Sequence, residues 1–355
     1  MPPRLTKFGY AFYRAGFRLP EDFRLPDNKA LPYTFANSVS AFSESRLQNV
    51  NPGGPSGFDF GGVDIALATS IGKNLATHAQ YVFSSTSEMG SGFDEAWVQY
   101  NSASSGRYWS VRAGQLPILS GYQLLGSRNI TLTDPQIAGP NGPLTGSGQG
   151  NFAIGGMERG VEIGYANEGF YGRFSWLNGI NEAGEGGTSL SGHRANDFLL
   201  QAEYLIGHAG SAVGAFYYHG KTPLPSVGFD NNFQRAGLFG TWGHHSQFGA
   251  ADFPNWHYEL NGGIVWGRDT IDSAGGKANS FGRLVEAALY IRHRTAISAR
   301  FDNVRPSSVA GTPTTEAYTL ALLHRPNDYM RLGLEYRNQR RPSGDSVIGS
   351  FWFFY

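Results

Sequence analysis

Residues 256–266 read Trp256-His257-Tyr258-Glu259-Leu260-Asn261-Gly262-Gly263-Ile264-Val265-Trp266. In an extended chain successive side chains point to opposite faces. Trp256, Tyr258, Leu260, Gly262, Ile264 and Trp266 then form one apolar face with aromatic ends, set against His257, Glu259, Asn261, Gly263 and Val265. The stretch from Asp197 to Ile206 repeats the pattern, with Phe198, Leu200, Ala202, Tyr204 and Ile206 on one side and Asp197, Gln201 and Glu203 on the other. Residues 329–338 do so again, placing Met330, Leu332, Leu334 and Tyr336 against Arg331, Gly333, Glu335 and Arg337. Segments of roughly ten residues with this period of two fill nearly the whole chain, and no helical period interrupts them.

A soluble β-sandwich also alternates, but it buries its apolar faces between two sheets. Here short turns alternate strictly with long loops, as an up-and-down membrane barrel requires. Turns are expected at 72–74, 102–106, 167–169, 207–210, 243–255, 293–294 and 326–328. Loops are expected near 48–58, 86–92, 117–157, 179–193, 221–231, 268–279, 305–313 and 340–346. The turns define hairpins, and a first strand at about 33–46 with a last one at 347–355 completes the set. The chain is therefore expected to be all-β: a transmembrane antiparallel β-barrel of about 16 strands over residues 32–355. Residues 1–31 are expected to form a periplasmic extension.

Composition excludes several alternatives. The 355 residues carry Lys+Arg 28 against Asp+Glu 28, and this neutral balance argues against nucleic acid, whose phosphates demand a basic surface. Aromatics reach 14%, too rich for a disordered chain. With Cys 0 there are no disulfides, thiolate metal sites, cysteine nucleophiles or haem attached to this chain through Cys-x-x-Cys-His. No apolar run is long enough for a membrane-spanning helix. Met1-Pro2-Pro3-Arg4 does not open a signal peptide, so export implies a cleaved leader or a different natural start.

The chain closes Val347-Ile348-Gly349-Ser350-Phe351-Trp352-Phe353-Phe354-Tyr355. A terminal aromatic with apolar residues at every second position before it, here Phe351, Phe353 and Tyr355, resembles the C-terminal insertion signal of Gram-negative outer-membrane proteins. That resemblance implies an outer-membrane location, recognition by the barrel assembly machinery, and a last strand that closes the barrel against the first.

With the aromatic-rich face toward lipid, the other face points into the lumen. The candidate lumen-lining charges are Glu95, Arg112, Glu162, Arg173, Glu203, Arg235, Glu259, Glu286, Arg300, Arg331, Glu335 and Arg337. Glu95 with Arg112, Glu162 with Arg173, Arg235 with Glu259 and Glu286 with Arg300 are expected as cross-strand pairs. Each is worth about 0.2–1 kcal/mol if wet. Their main expected role is to keep the wall polar and fix register. A selective pore concentrates one sign of charge, whereas these nearly cancel, so strong ion selectivity is not expected.

The loop over 117–157 is apolar at its start, with Leu116-Pro117-Ile118-Leu119, Tyr122, Leu124-Leu125 and Ile130, and glycine-rich later, with Gly146-Ser147-Gly148-Gln149-Gly150. Its length and composition resemble the porin loop that folds inward and narrows the channel.

Residues 2–20 read Pro-Pro-Arg-Leu-Thr-Lys-Phe-Gly-Tyr-Ala-Phe-Tyr-Arg-Ala-Gly-Phe-Arg-Leu-Pro. Pro3, Leu5, Thr6, Phe8, Gly9, Phe12 and Gly16, with Phe17 in place of Tyr, resemble the segment that follows a haem motif in outer-membrane barrels linked to extracellular electron transfer. The likeness covers under a tenth of the chain and lacks the haem-binding residues. It implies haem only from an upstream segment or a c-type cytochrome partner.

None of the nine histidines shows metal-ligand spacing, and no Gly-x-Ser-x-Gly, His-Glu-x-x-His or phosphate-binding glycine loop occurs. No enzyme activity, metal or cofactor in this chain is expected. The function expected first is a porin-like channel for passive diffusion of small polar solutes, in contact with outer-membrane lipid, with a homotrimer or a c-type cytochrome partner as the two assemblies left open by the sequence. The alternative is a barrel that houses or partners a haem or cytochrome for electron transfer across the outer membrane.

Overall fold

A computed structural model of the chain describes residues 39–49, 56–71, 74–83, 92–104, 107–118, 131–133, 157–167, 169–178, 197–206, 211–224, 229–243, 256–270, 273–291, 294–306, 314–327, 329–341 and 343–354. They form β1 (Val39–Asn49), β2 (Ser56–Ile71), β3 (Leu75–Phe83), β4 (Gly92–Ser104), β5 (Arg107–Pro117), β6 (Met157–Asn167), β7 (Phe170–Leu177) and β8 (Asp197–Ile206). The second half contains β9 (Ser211–Leu224), β10 (Phe229–Gly243), β11 (Trp256–Thr270), β12 (Lys277–Ile291), β13 (Thr295–Arg305), β14 (Thr315–Asn327), β15 (Met330–Arg341) and β16 (Ser343–Phe354).

Each strand pairs with its chain neighbours, and β16 returns to β1 in antiparallel register from Phe42↔Phe354 to Asn49↔Val347, so the sheet is a closed barrel of 16 strands. Closure leaves no sheet edge, which lets a wall of backbone amides stand in lipid with its hydrogen bonds made inside the sheet.

The alternation in sequence becomes alternation in space. On β11 Tyr258, Leu260 and Trp266 are exposed on the outer wall, while Glu259, Asn261 and Val265 are buried inside. Outward aromatics gather at both rims. Tyr100, Trp109, Phe170, Tyr204 and Trp242 lie toward the tight turns, and Phe83, Phe93, Trp176 and Trp266 lie toward the long loops. Two such girdles mark the interfaces of a membrane barrel.

Three sequence expectations are corrected. The region 340–346 is not a long loop: β15 and β16 stay paired to Arg340↔Ser343, and Asn338 donates to Asp345 at 2.6 Å across the hairpin. The loops expected at 221–231 and 268–279 are shorter, because β9 runs to Leu224 and pairs with β10 from Phe229, and β11 runs on to Thr270 with β12 starting at Lys277. The inner wall is also not uniformly polar. Leu177, Leu199, Phe216, Tyr218, Phe233, Phe239, Val265, Leu284 and Val304 form an inward apolar cluster with Ile118, just past β5. The first described strand begins at Val39, and the extension expected over 1–31 lies outside the described residues.

Gly114 marks a close approach of β5 to β4. Its φ is +138°, and a Cβ there would sit 2.2 Å from the Ala96 carbonyl oxygen and 2.7 Å from Trp97 Cα. Only glycine combines that backbone with so close an approach. Gly114→Ala is expected to destabilise the barrel by about 1–3 kcal/mol, read as a lower urea midpoint for the refolded protein. An unchanged midpoint would contradict the geometry.

Candidate functional site

The inner wall is built from side chains at every second position, so its chemistry follows from register. On β3 to β5, Trp97 Nε1 donates to Glu95 Oε2 at 2.9 Å, and His78 Nε2 lies 3.8 Å from the same oxygen. Arg112 stacks 4.2 Å above the Trp97 ring and donates through Nε to Gln99 Oε1 at 2.7 Å. Gln99 passes the network to Asn101 Oδ1 at 2.7 Å. On the next strands Arg173 Nη1 donates to Glu162 Oε2 at 2.5 Å, with Ser175 Oγ on the same oxygen at 3.2 Å. Arg112 Nη1 stands 3.9 Å from the other oxygen of Glu162. Arg173 also donates through Nε and Nη2 to Gln201 Oε1 at 3.0 and 2.7 Å, and Gln201 donates to Glu203.

This network of buried side chains crosses five adjacent strands, β4 to β8, with acid and base interleaved. A buried charge stripped of its partner is strongly unfavourable, so such a wall holds its side chains in place. Toward the long-loop end Arg235 Nη2 holds both oxygens of Asp269 at 2.8 and 3.0 Å, and Asn231 Nδ2 donates to Asp269 at 3.0 Å. Tyr218 donates to Asp197 Oδ2 at 2.8 Å nearby.

The loop that leaves β5 meets this wall at two places. At its start the carbonyl oxygens of Pro117 and Ile118 accept from Arg173 at 3.3 and 2.5 Å. Further on, Thr131 to Thr133 lie against β13 and β15. Arg300 donates to Thr131 Oγ1, to the Thr133 carbonyl at 2.9 Å and to Thr133 Oγ1 at 3.3 Å. Glu335 accepts from the Leu132 amide, the Thr133 amide at 3.2 Å and Thr133 Oγ1 at 2.5 Å.

Leu132 is fully buried with Ala288, Tyr290, Ala296, Leu323, Ile348 and Trp352, an apolar patch in the half of the barrel nearer the tight turns. Its Cδ2 approaches within 2.7 Å of where a Cβ of Gly333 would stand, so the absent side chain of Gly333 forms the seat.

These contacts are inside the barrel, because Leu334 and Tyr336 on either side of Glu335 face outward. In the ring β13 stands eight strands from β5 in either direction, so the chain has reached the opposite wall by Thr131. Strands spaced about 4.8 Å and tilted about 40° give a ring of this size a diameter of roughly 30 Å. The link from Ile118 to Thr131 can span at most about 45 Å. Residues 119–130 and 134–156 lie outside the described residues.

Of the pairs read from the sequence, Glu162 with Arg173 forms a direct ion pair. Glu286 and Arg300 stand directly opposite in register, while Arg300 Nε donates to Asp302 at 2.7 Å and its other nitrogens hold the loop. The pair of Glu95 with Arg112 is corrected: Arg112 lies opposite Gln99 and binds it, and a register shift between Ala79 and Tyr81 re-aims β4 so that Glu95 meets Trp97 and His78.

The pair of Arg235 with Glu259 is also corrected. Arg235 faces Gly267 and Glu259 faces Gly243, most of a strand apart. Glu259 instead accepts from Asn261 at 2.5 Å and from Tyr290 at 3.3 Å. Arg331 stacks 4.4 Å over the inward Trp352, and Arg337 faces Thr319 and Ser346 in the ladders. Glu203 and Glu335 are buried inward as expected. Phe351 and Phe353 pack edge to face at 5.1 Å on β16, and Tyr355 lies outside the described residues.

Sequence reasoning missed Gln99, Asp269, Thr131 and Thr133, whereas Gln201 and Asp302 lie inward and buried as their alternation predicts. Gln99 shares the inward parity of the charges that were found, and parity alone would have included it. Among the described residues no group of three or more His, Cys, Asp or Glu could hold a metal ion.

No protein-family model and no curated protein matches the chain. Solved structures do match in fold. An anion-selective porin from Comamonas acidovorans aligns with a TM-score of 0.62 at 12% identity, over 90% of this chain and 99% of that one. The outer membrane channel DcaP of Acinetobacter baumannii aligns at 0.59 and 9% identity, over 89% and 96%. OmpT of Vibrio cholerae, an outer membrane protein solved in a trimer form, aligns at 0.58 and 9% identity, over 89% and 98%. The fold is that of outer-membrane porin barrels.

Proposed function

We propose that this chain is an outer-membrane, porin-like channel that lets small polar solutes diffuse passively past a loop held across its lumen. The observation that carries the reading is the clamp of Thr131 to Thr133 by Arg300 and Glu335, inside a closed wall that is apolar outside and charged within. A loop fixed at both walls sets a size limit without closing the sheet, and the whole 117–157 loop is read as that constriction. The outer membrane channel and the outer membrane protein in trimer form, both of similar fold, support the same reading, including a homotrimer as the assembled form. Phe351 and Phe353 on the closing strand support recognition by the barrel assembly machinery.

Along β4 to β8 acid and base are interleaved, so the lumen field there largely cancels within a few ångströms. The protein is expected to pass neutral sugars in a liposome-swelling assay, with a rate that falls as sugar size rises. Across a potassium chloride gradient its reversal potential should stay near zero. Liposomes that do not swell with any sugar would refute the channel, and a large reversal potential would refute the balanced lumen.

A second reading, a barrel that surrounds a haem or cytochrome, is favoured only by the amino-terminal likeness at Pro3, Leu5, Thr6, Phe8, Gly9, Phe12, Gly16 and Phe17. The intact mass of the protein from its native membrane, with its visible absorption spectrum, decides it.

A further inference from the structure

On the outside of the barrel, between β5 and β9, lies a cavity of about 540 Å³. It is lined by outward side chains that include Trp109, Tyr165, Phe174, Leu200 and Tyr217. Register explains it. Trp109, Tyr165, Gly172, Ala202 and Ala215 are successive cross-strand partners, so three neighbouring strands present only small side chains in one row. The row toward the loops is Ile163, Phe174, Leu200 and Tyr217, and the row toward the turns is Asn167, Phe170, Tyr204 and Val213. Large groups therefore wall a recess floored by Ala202 and Ala215, with the Phe170 ring lying over Gly172. Its volume falls in the range of small-molecule sites, about 300–1,000 Å³.

The rim on the turn side carries a cation. Arg107 opens β5 directly opposite Asn167, in the same row as Phe170 and Tyr204, and it is exposed on the outward parity of Trp109 and Val111. In a barrel of this kind the tight turns lie at the periplasmic surface, so Arg107 stands at headgroup level of the phospholipid leaflet, beside the mouth of the recess. A guanidinium binds a phosphate oxygen pair in its fixed fork.

We propose that the recess holds one acyl chain of a periplasmic-leaflet phospholipid whose phosphodiester is bound by Arg107. Moving an acyl chain from the bilayer into the recess gains no hydrophobic free energy, since both are apolar. Retention therefore comes from close packing against the aromatic walls and from the charge at the rim. A second copy of this chain would fill the recess without needing the cation. The inference rests on the membrane location in the reading above, not on conduction.

The test is native mass spectrometry of the detergent-purified protein titrated with phosphatidylglycerol, and separately with diacylglycerol of the same chains, which lacks the phosphate. One phosphatidylglycerol per chain is expected to survive activation. Arg107→Gln should lower that retention several-fold, to the level of diacylglycerol. Ala202→Phe, which fills the floor, should abolish retention of both, while Leu320→Phe on the outer face of β14 should change nothing. Each variant is compared only after its heat-dependent gel mobility shows a closed barrel.

Full retention by Ala202→Phe overturns the site, and unchanged retention by Arg107→Gln overturns the headgroup contact. If Ala202→Phe breaks an oligomer and leaves lipid retention unchanged, a second copy occupies the recess and the proposal fails. A variant that loses the lipid yet fractionates with outer membranes and swells liposomes leaves the channel reading intact. A chain that does not fractionate with membranes refutes both.

Discussion

Replacing Arg300 and Glu335 together with alanine is expected to raise single-channel conductance and make the current noisier. Glu335 receives three hydrogen bonds from Leu132 and Thr133, and Arg300 gives three to Thr131 and Thr133. Bonds to charged groups contribute about 1.5–3 kcal/mol each in net terms, and bonds that share one side chain are not additive. Losing both clamps therefore weakens the held state by about 3–6 kcal/mol, at least a hundredfold in its population. Leu132 alone, seated on Gly333, does not offset that loss. Glu335→Gln keeps an acceptor oxygen but loses the charge, so its effect should be smaller. A double variant that folds, inserts and conducts like the parent would show that the loop does not narrow the pore.

Asp269→Ala is expected to cost about 3–5 kcal/mol of barrel stability, because it strands the Arg235 guanidinium in a buried site. Both side chains are 0% exposed, and the bidentate contact at 2.8 and 3.0 Å is the main acidic partner of Arg235. The comparison is Asp230→Ala, which removes an ion pair with Lys221 of similar length, 2.7 Å, between side chains 43% and 45% exposed. Water screens that pair, so its loss should change stability by less than about 1 kcal/mol. Urea unfolding of the two refolded variants, followed by tryptophan fluorescence, measures the contrast. Equal losses would mean that the Arg235 site is wet.

The alternation at Trp256–Trp266 was enough to read the barrel, because a two-residue period with one face in lipid leaves each strand a single inside and outside. Strand count followed from the turns for the same reason. Pair partners were less legible, since they depend on strand length and register. Asp269 was assigned to a loop when β11 was ended at Trp266. The true strand runs to Thr270, which brings Asp269 beside Arg235 and leaves Glu259 far away. Similarly, the register shift near Ala79 re-aims β4, and no pattern of polarity announces it.

The inward apolar cluster around Phe216, Phe233 and Val265 was hidden by the same alternation that revealed the fold. Apolar residues on both parities read as one strand whichever face they occupy. Thr131 and Thr133 were invisible as site residues because their role is set by contacts some 170 to 200 residues away.

The most direct test of the central claim is single-channel recording of the purified protein in a planar bilayer, with potassium chloride as the only solute. A conducting barrel with a loop held across it predicts stable, ohmic steps with a reversal potential near zero in a salt gradient. A protein that inserts, shows the heat-dependent mobility of a closed barrel and passes no current would contradict it.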